Sequence, residues 1–148
     1  MNRSKQKGTA AETAVANYLV RRGVVAHRAP LHGSSDKGDI WAMPTRRGYR
    51  IVVQVKAGEQ AVKPSIAQVE AWQRETYEQA LRVDDSDLGI LVLKRQGSQK
   101  VWDWPAWAMV GEIDGHVTGA VSSSPLAKTW VCLPLGRLFD VLCGEVKG

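Results

Sequence analysis

The chain has 148 residues, 44% of them hydrophobic and 24% charged, and a net charge of +5. That is enough apolar material for one core without disulfide or metal staples, and too ordinary a charge fraction for wholesale disorder. No apolar run approaches the ~18 residues of a membrane helix, and the polar start Met1 to Gly8 has no signal-type hydrophobic region behind it; a cytoplasmic protein without a membrane partner is expected.

Residues 1–64 carry 12 Lys/Arg against 4 Asp/Glu, and residues 65–148 carry 8 against 11. Basic charge gathered in the front half suits a face that meets a polyanion, most commonly nucleic acid. Cys132 and Cys143 form no Cys-x-x-Cys and have no matching histidine pair, so two free thiols and no structural zinc are expected.

Taken in order, Thr9–Arg22 reads as a helix, with Ala11, Val15, Tyr18 and Leu19 at 3–4 spacing and Gly23 as its stop. Val24–Arg28 is a short strand, and the polar loop from Pro30 to Gly38 contains Gly33-Ser34-Ser35. Asp39–Met43 and Tyr49–Lys56 are rich in strand formers, and Thr45-Arg46-Arg47-Gly48 joins them as a hairpin. Ser65–Val83 is a second helix with the stripe Ile66, Val69, Trp72, Tyr77 and Ala80, and Ser65 and Gln68 can form a capping box. Leu88–Leu93 is continuously apolar and should lie in the sheet centre. Lys100–Trp104 reads as its partner strand, Thr129–Leu133 as another, and Arg137–Leu142 as a closing helix. The fold class is therefore α/β, a single domain over 1–148 with a mixed central sheet flanked by helices.

The chemistry gathers in Gly38-Asp39-Ile40 and Val53-Gln54-Val55-Lys56. Alternation in a strand puts Gln54 and Lys56 on one face and Val53 and Val55 on the other. With an even hairpin loop, Asp39 stands opposite Gln54 with Cβ atoms roughly 4.5–5.5 Å apart. A three-residue loop with Gly48 in the left-handed position pairs Ile40 with Gln54 instead. A carboxylate, an amide oxygen and an ammonium on one spot suit a hard divalent cation and a scissile phosphate; the plainer reading is an Asp39–Lys56 salt bridge. Glu12, at the edge of the first helix's buried stripe, is a further candidate, although Thr9-Ala10-Ala11-Glu12 also reads as a capping box.

Lys7-Gly8-x-x-Ala11-Glu12, Gly33-Ser34-Ser35-x-x-Gly38-Asp39-Ile40 and Gln54-Val55-Lys56 together resemble the PD-(D/E)xK nuclease superfamily. Their order and spacing are most similar to archaeal-type Holliday junction resolvases and their viral relatives. The resemblance covers about residues 5–104 and implies a restriction-endonuclease-like core, with 105–148 as a C-terminal extension available for dimerisation. It implies a Mg²⁺-dependent endonuclease (Mn²⁺ can substitute) that cuts DNA, above all four-way junctions, as a homodimer, leaving 5′-phosphate and 3′-hydroxyl ends. Glu12, Asp39 and Lys56 fall on the family's helix glutamate, strand aspartate and catalytic lysine, and Ser34 or Ser35 on a loop serine active in some members. With Gln54 they form the implied catalytic set, and Asp39, Gln54 and Glu12 the metal ligands. Gln54 departs from the usual glutamate, which leaves one neutral carbonyl ligand in its place.

Lys5, Lys7, Arg28, Lys37 and Lys63 flank these segments and can track phosphates without reading sequence. The six tryptophans, with Trp102, Trp104 and Trp107 clustered, are expected chiefly in the core, with base stacking or a dimer interface as the other uses. The three histidines have no ligand or triad spacing. Three rivals stand beside the resolvase reading: the first is a related nuclease with a restriction, flap or single-strand substrate, and the second a DNA-binding module that does not cleave. A basic interaction protein is the third.

Overall fold

Among the described residues six strands form one mixed sheet in the order β1-β2-β3-β4-β5-β6. The structure, a computed structural model, describes residues 3–29, 38–43, 49–83, 86–110 and 129–144. Helix α1 (Arg3–Arg21) leads into β1 (Val25–Arg28), and β2 (Ile40–Met43) and β3 (Ile51–Lys56) follow in antiparallel pairing. A short helix α2 (Glu59–Val62) and the long α3 (Ile66–Arg82) carry the chain across to β4 (Leu88–Leu93), which runs parallel to β3. Strands β5 (Pro105–Val110) and β6 (Thr129–Pro134) extend the sheet antiparallel, and α4 (Leu135–Leu142) follows directly. The mixed sheet with flanking helices agrees with the sequence expectation. A parallel pair needs a crossover, and here α2 and α3 supply it.

The two faces of the sheet are covered differently. On one, Ala11, Val15 and Leu19 of α1 and Leu135, Leu138, Phe139 and Leu142 of α4 pack with Ile40, Val53, Ile90 and Val92. On the other, Ala61 and Trp72 cover Leu91 and Leu93. All six residues of β4 are buried, as a strand covered on both faces should be. The last segments of the chain thus belong to the sheet and the main core, through β5, β6 and α4. Arg22 ties α1 to α4: its guanidinium lies 2.8 Å from the Asp140 carboxylate and donates to the Tyr18 hydroxyl at 3.2 Å and the Gly136 carbonyl at 3.1 Å. Burial opposes its charge, but Tyr18 and Asp140 outweigh it and hold the pKa above the ordinary arginine value. Both cysteines are free thiols: Cys143 is buried and Cys132 exposed, and partial burial pushes the Cys132 thiol up.

The structure corrects four local expectations. Helix α1 starts at Arg3, so Gly8 and Thr9 lie within it and Thr9-to-Glu12 is not its capping box. In α3, Ser65 does cap, accepting from the Gln68 backbone N–H at 3.1 Å, but Ile66 is 81% exposed. The first turn of α3 leaves Ile66 in solvent, and the buried residues of the helix are Trp72, Thr76, Tyr77, Gln79 and Ala80. Val101–Asp103 is a turn of 3-10 helix, and the strand beside β4 begins only at Pro105. Val101 and Trp104 stand three apart and both enter the core, a helical spacing that apolar content alone does not separate from a strand. The short helix α2 had no signal strong enough to predict it. The Thr45–Gly48 turn and the segment between β5 and β6 lie outside the described residues.

Candidate functional site

The register of β2 against β3 decides where the polar groups meet. Ile40 pairs with Val53, Trp41 with Val52 and Ala42 with Ile51, which is the alignment of the even loop. The next positions outward are Asp39 and Gln54, and there the ladder gives way. The Asp39 N–H donates to the Val53 carbonyl at 3.0 Å, and its carbonyl accepts from Ala29 N–H at 2.8 Å. Its carboxylate takes over the place of a ladder acceptor, receiving the Val55 N–H at 2.8 Å. Asp39 therefore binds the ends of three strands together, with its carboxylate fixed at the fork between β2 and β3.

This fork depends on the residue before it. Gly38 has φ +86°, and a Cβ there would lie 2.4 Å from the Val52 side chain. Gly38→Ala is expected to cost about 2–3 kcal/mol from left-handed strain and overpacking together. Gly23, at φ +92° with open space around it, carries the strain alone, so Gly23→Ala should cost about 1 kcal/mol. Urea unfolding of the two variants measures the difference, and equal losses would contradict the steric argument.

Gln54 and Lys56 share the sheet face covered by α3, paired in register with Leu91 and Leu93. Gln54 is 5% exposed, and its side-chain oxygen has no hydrogen-bond partner among the described residues. A buried amide oxygen left without a partner is costly, about 1–3 kcal/mol, and such an atom calls for a water, a cation or a ligand. Lys56, the last residue of β3, is half-buried. Its ammonium lies 3.3 Å from Glu75 Oε1 and 5.9 Å above the Trp72 ring centre, so its ion-pair partner is a carboxylate of α3, where an Asp39–Lys56 bridge had been the plainer expectation.

Glu12 has a partner of its own. Its carboxylate is paired with Arg28, which lies opposite Ile40 on the face covered by α1. Two residues expected to serve separately, one toward a metal and one toward DNA, are thus each other's partners. Lys63 is exposed just after α2. Ser34, Ser35 and Lys37 lie outside the described residues, and so do the side chains of Lys5 and Lys7.

Sequence reasoning missed Glu75 and Gln79. Gln79 is fully buried and its amide donates to Glu75 Oε1 at 3.4 Å. The signal was present: Trp72, Glu75 and Gln79 recur at 3–4 spacing on a helix whose other buried positions are apolar or Thr76.

As to a metal, no group of three or more His, Cys, Asp or Glu side chains converges among the described residues. The donor set consists of the Asp39 carboxylate and the unpartnered Gln54 oxygen. One carboxylate, already receiving the Val55 N–H, and one buried amide oxygen fall short of a fully protein-ligated cation site. No protein-family model matches the chain, and no curated protein matches it at a significant level.

Proposed function

We propose that the protein is a metal-dependent DNA endonuclease of the PD-(D/E)xK type, with a restriction-endonuclease-like core, that acts on four-way junctions as a homodimer. The observation that carries this reading is the fork at the end of β2 and β3. There a fixed Asp39 carboxylate, a buried and unpartnered Gln54 oxygen and the Lys56 ammonium gather at one sheet end, in the order and spacing of the resemblance. A buried acceptor with no donor among the described residues leaves a place at the fork for a cation or a water.

In this reading Asp39 and Gln54 hold the ion, and their anchoring in the strand ends keeps them in place. When bound, the metal supplies positive charge to a phosphoryl oxygen and acidifies water. Lys56 orients the attacking water or neutralises charge as it develops on the phosphate. The basic residues of the front half position the duplex through its phosphates.

The neutral Gln54 predicts weak metal binding. Gln54→Glu adds a charge to the donor set and is expected to tighten Mg²⁺ binding roughly tenfold or more. Calorimetric titration of the two proteins measures this, and an unchanged affinity would remove Gln54 from the ligand set.

The reading as a whole is tested by nicking of a synthetic four-way junction, a flap and a linear duplex of matched sequence, with Mg²⁺ or Mn²⁺. Paired symmetric cuts confined to the junction are expected. Cleavage of the flap or duplex would keep the nuclease chemistry and overturn the substrate. Tight binding with no cut under either metal would make this a module that recognises DNA without cleaving it.

A further inference from the structure

A lysine that is to meet a phosphate at a fixed point carries a flexible four-carbon stem, and something has to hold its ammonium. Helix α3 presents Trp72 and Glu75 to Lys56, and Gln79 bonds to Glu75 in turn. Trp72 lies beneath the ammonium at 5.9 Å from its ring centre, and Glu75 Oε1 lies 3.3 Å from it. The same Glu75 oxygen receives the amide of Gln79 at 3.4 Å. Trp72 is 7% exposed and Gln79 fully buried, so both are held by the core. Glu75 itself is 38% exposed as a side chain, and an ion pair so open adds little to stability. What distinguishes it is that one carboxylate oxygen is shared between the Lys56 ammonium and the Gln79 amide.

We infer that Glu75 is a positioning residue for Lys56, anchored in turn by Gln79, and that together with Trp72 it fixes where the ammonium meets the substrate phosphate. This rests on the nuclease reading. Glu75 touches neither substrate nor metal in this account and acts through Lys56 alone.

The experiment is single-turnover cleavage of the substrate that wild type cuts, with equilibrium binding of the same DNA measured in the absence of metal. Glu75→Ala is expected to slow the cleavage step roughly 10- to 100-fold, the scale of a misplaced catalytic group, with DNA affinity unchanged to within about twofold. Glu75→Gln keeps an oxygen for both Lys56 and Gln79 and is expected to recover the rate to within about threefold of wild type. The ammonium signal of Lys56 in ¹⁵N-detected spectra should be sharp in wild type and in Glu75→Gln, and broadened by exchange in Glu75→Ala.

Wild-type rates in Glu75→Ala would overturn the inference and leave the nuclease reading intact. So would a loss confined to DNA affinity, an unchanged Lys56 signal, or equal slowing in both variants, which would assign the effect to charge and not to position. Failure of wild type to cut any DNA would instead overturn the nuclease reading, and this inference with it.

Discussion

On the proposed nuclease reading, Lys56→Ala is expected to slow DNA cleavage by roughly 100-fold or more, because it removes a fixed positive group from the place where phosphate charge would develop. The same change should hardly alter the fold. Lys56 pairs with Glu75 across a partly exposed gap, with side chains 23% and 38% accessible. Pairs of this kind are worth about 0.2–1 kcal/mol, so the thermal midpoint should fall by no more than about 4 °C. The combination separates the readings. If Lys56 served only as half of a salt bridge, the small stability loss would appear with no effect on any DNA. Cleavage rates and melting curves on one preparation decide between them.

Phe139→Ala is expected to cost about 3–5 kcal/mol, the range for truncating a buried aromatic ring, and to lower the thermal midpoint by about 6–20 °C. Phe139 is wholly inaccessible and lies in the cluster that joins α1, α4 and the central strands. Trp102, of larger area but 51% exposed, provides the contrast: Trp102→Ala should stay within about 1 kcal/mol. Thermal or urea unfolding checks both. A small effect at Phe139 would mean that α4 is an appendage on the sheet and not part of its core.

That result also marks a limit of motif reading. The recognisable pattern ended near residue 104, and beyond it the chain looked like an extension. Yet β5 and β6 complete the sheet, and α4 brings four buried apolar side chains beneath it. Nothing in Thr129–Leu133 or Arg137–Leu142 announces which face of which sheet they will cover. An apolar stripe states that it will be buried, and its partner is set by the packing of the whole.

The site divides in a similar way. Alternation along β3 placed Gln54 and Lys56 on one face from the sequence, but the sequence left two hairpin registers open, and the observed pairing of Ile40 with Val53 put Asp39 beside them. The partners of these groups were another matter. Lys56 turned to Glu75, Glu12 to Arg28, and the Asp39 carboxylate to the Val55 N–H. Charged side chains settle with whatever opposite group the fold brings within reach, and Glu75 lies 19 residues from Lys56 on another element.

By itself, then, the sequence determined what is local or periodic. It set the mixed sheet with flanking helices, the buried run of β4, the cap at Ser65, the two free thiols and the shared face of Gln54 and Lys56. Hydrophobic period, capping chemistry and strand alternation act over a few residues and leave their mark on the chain. Only the tertiary structure decided that Gln54 is buried without a donor, that Glu12 is engaged by Arg28, and that α3 grips Lys56 through Glu75. Those outcomes depend on which elements pack against which, and long-range packing is a property of the whole chain that no short segment encodes.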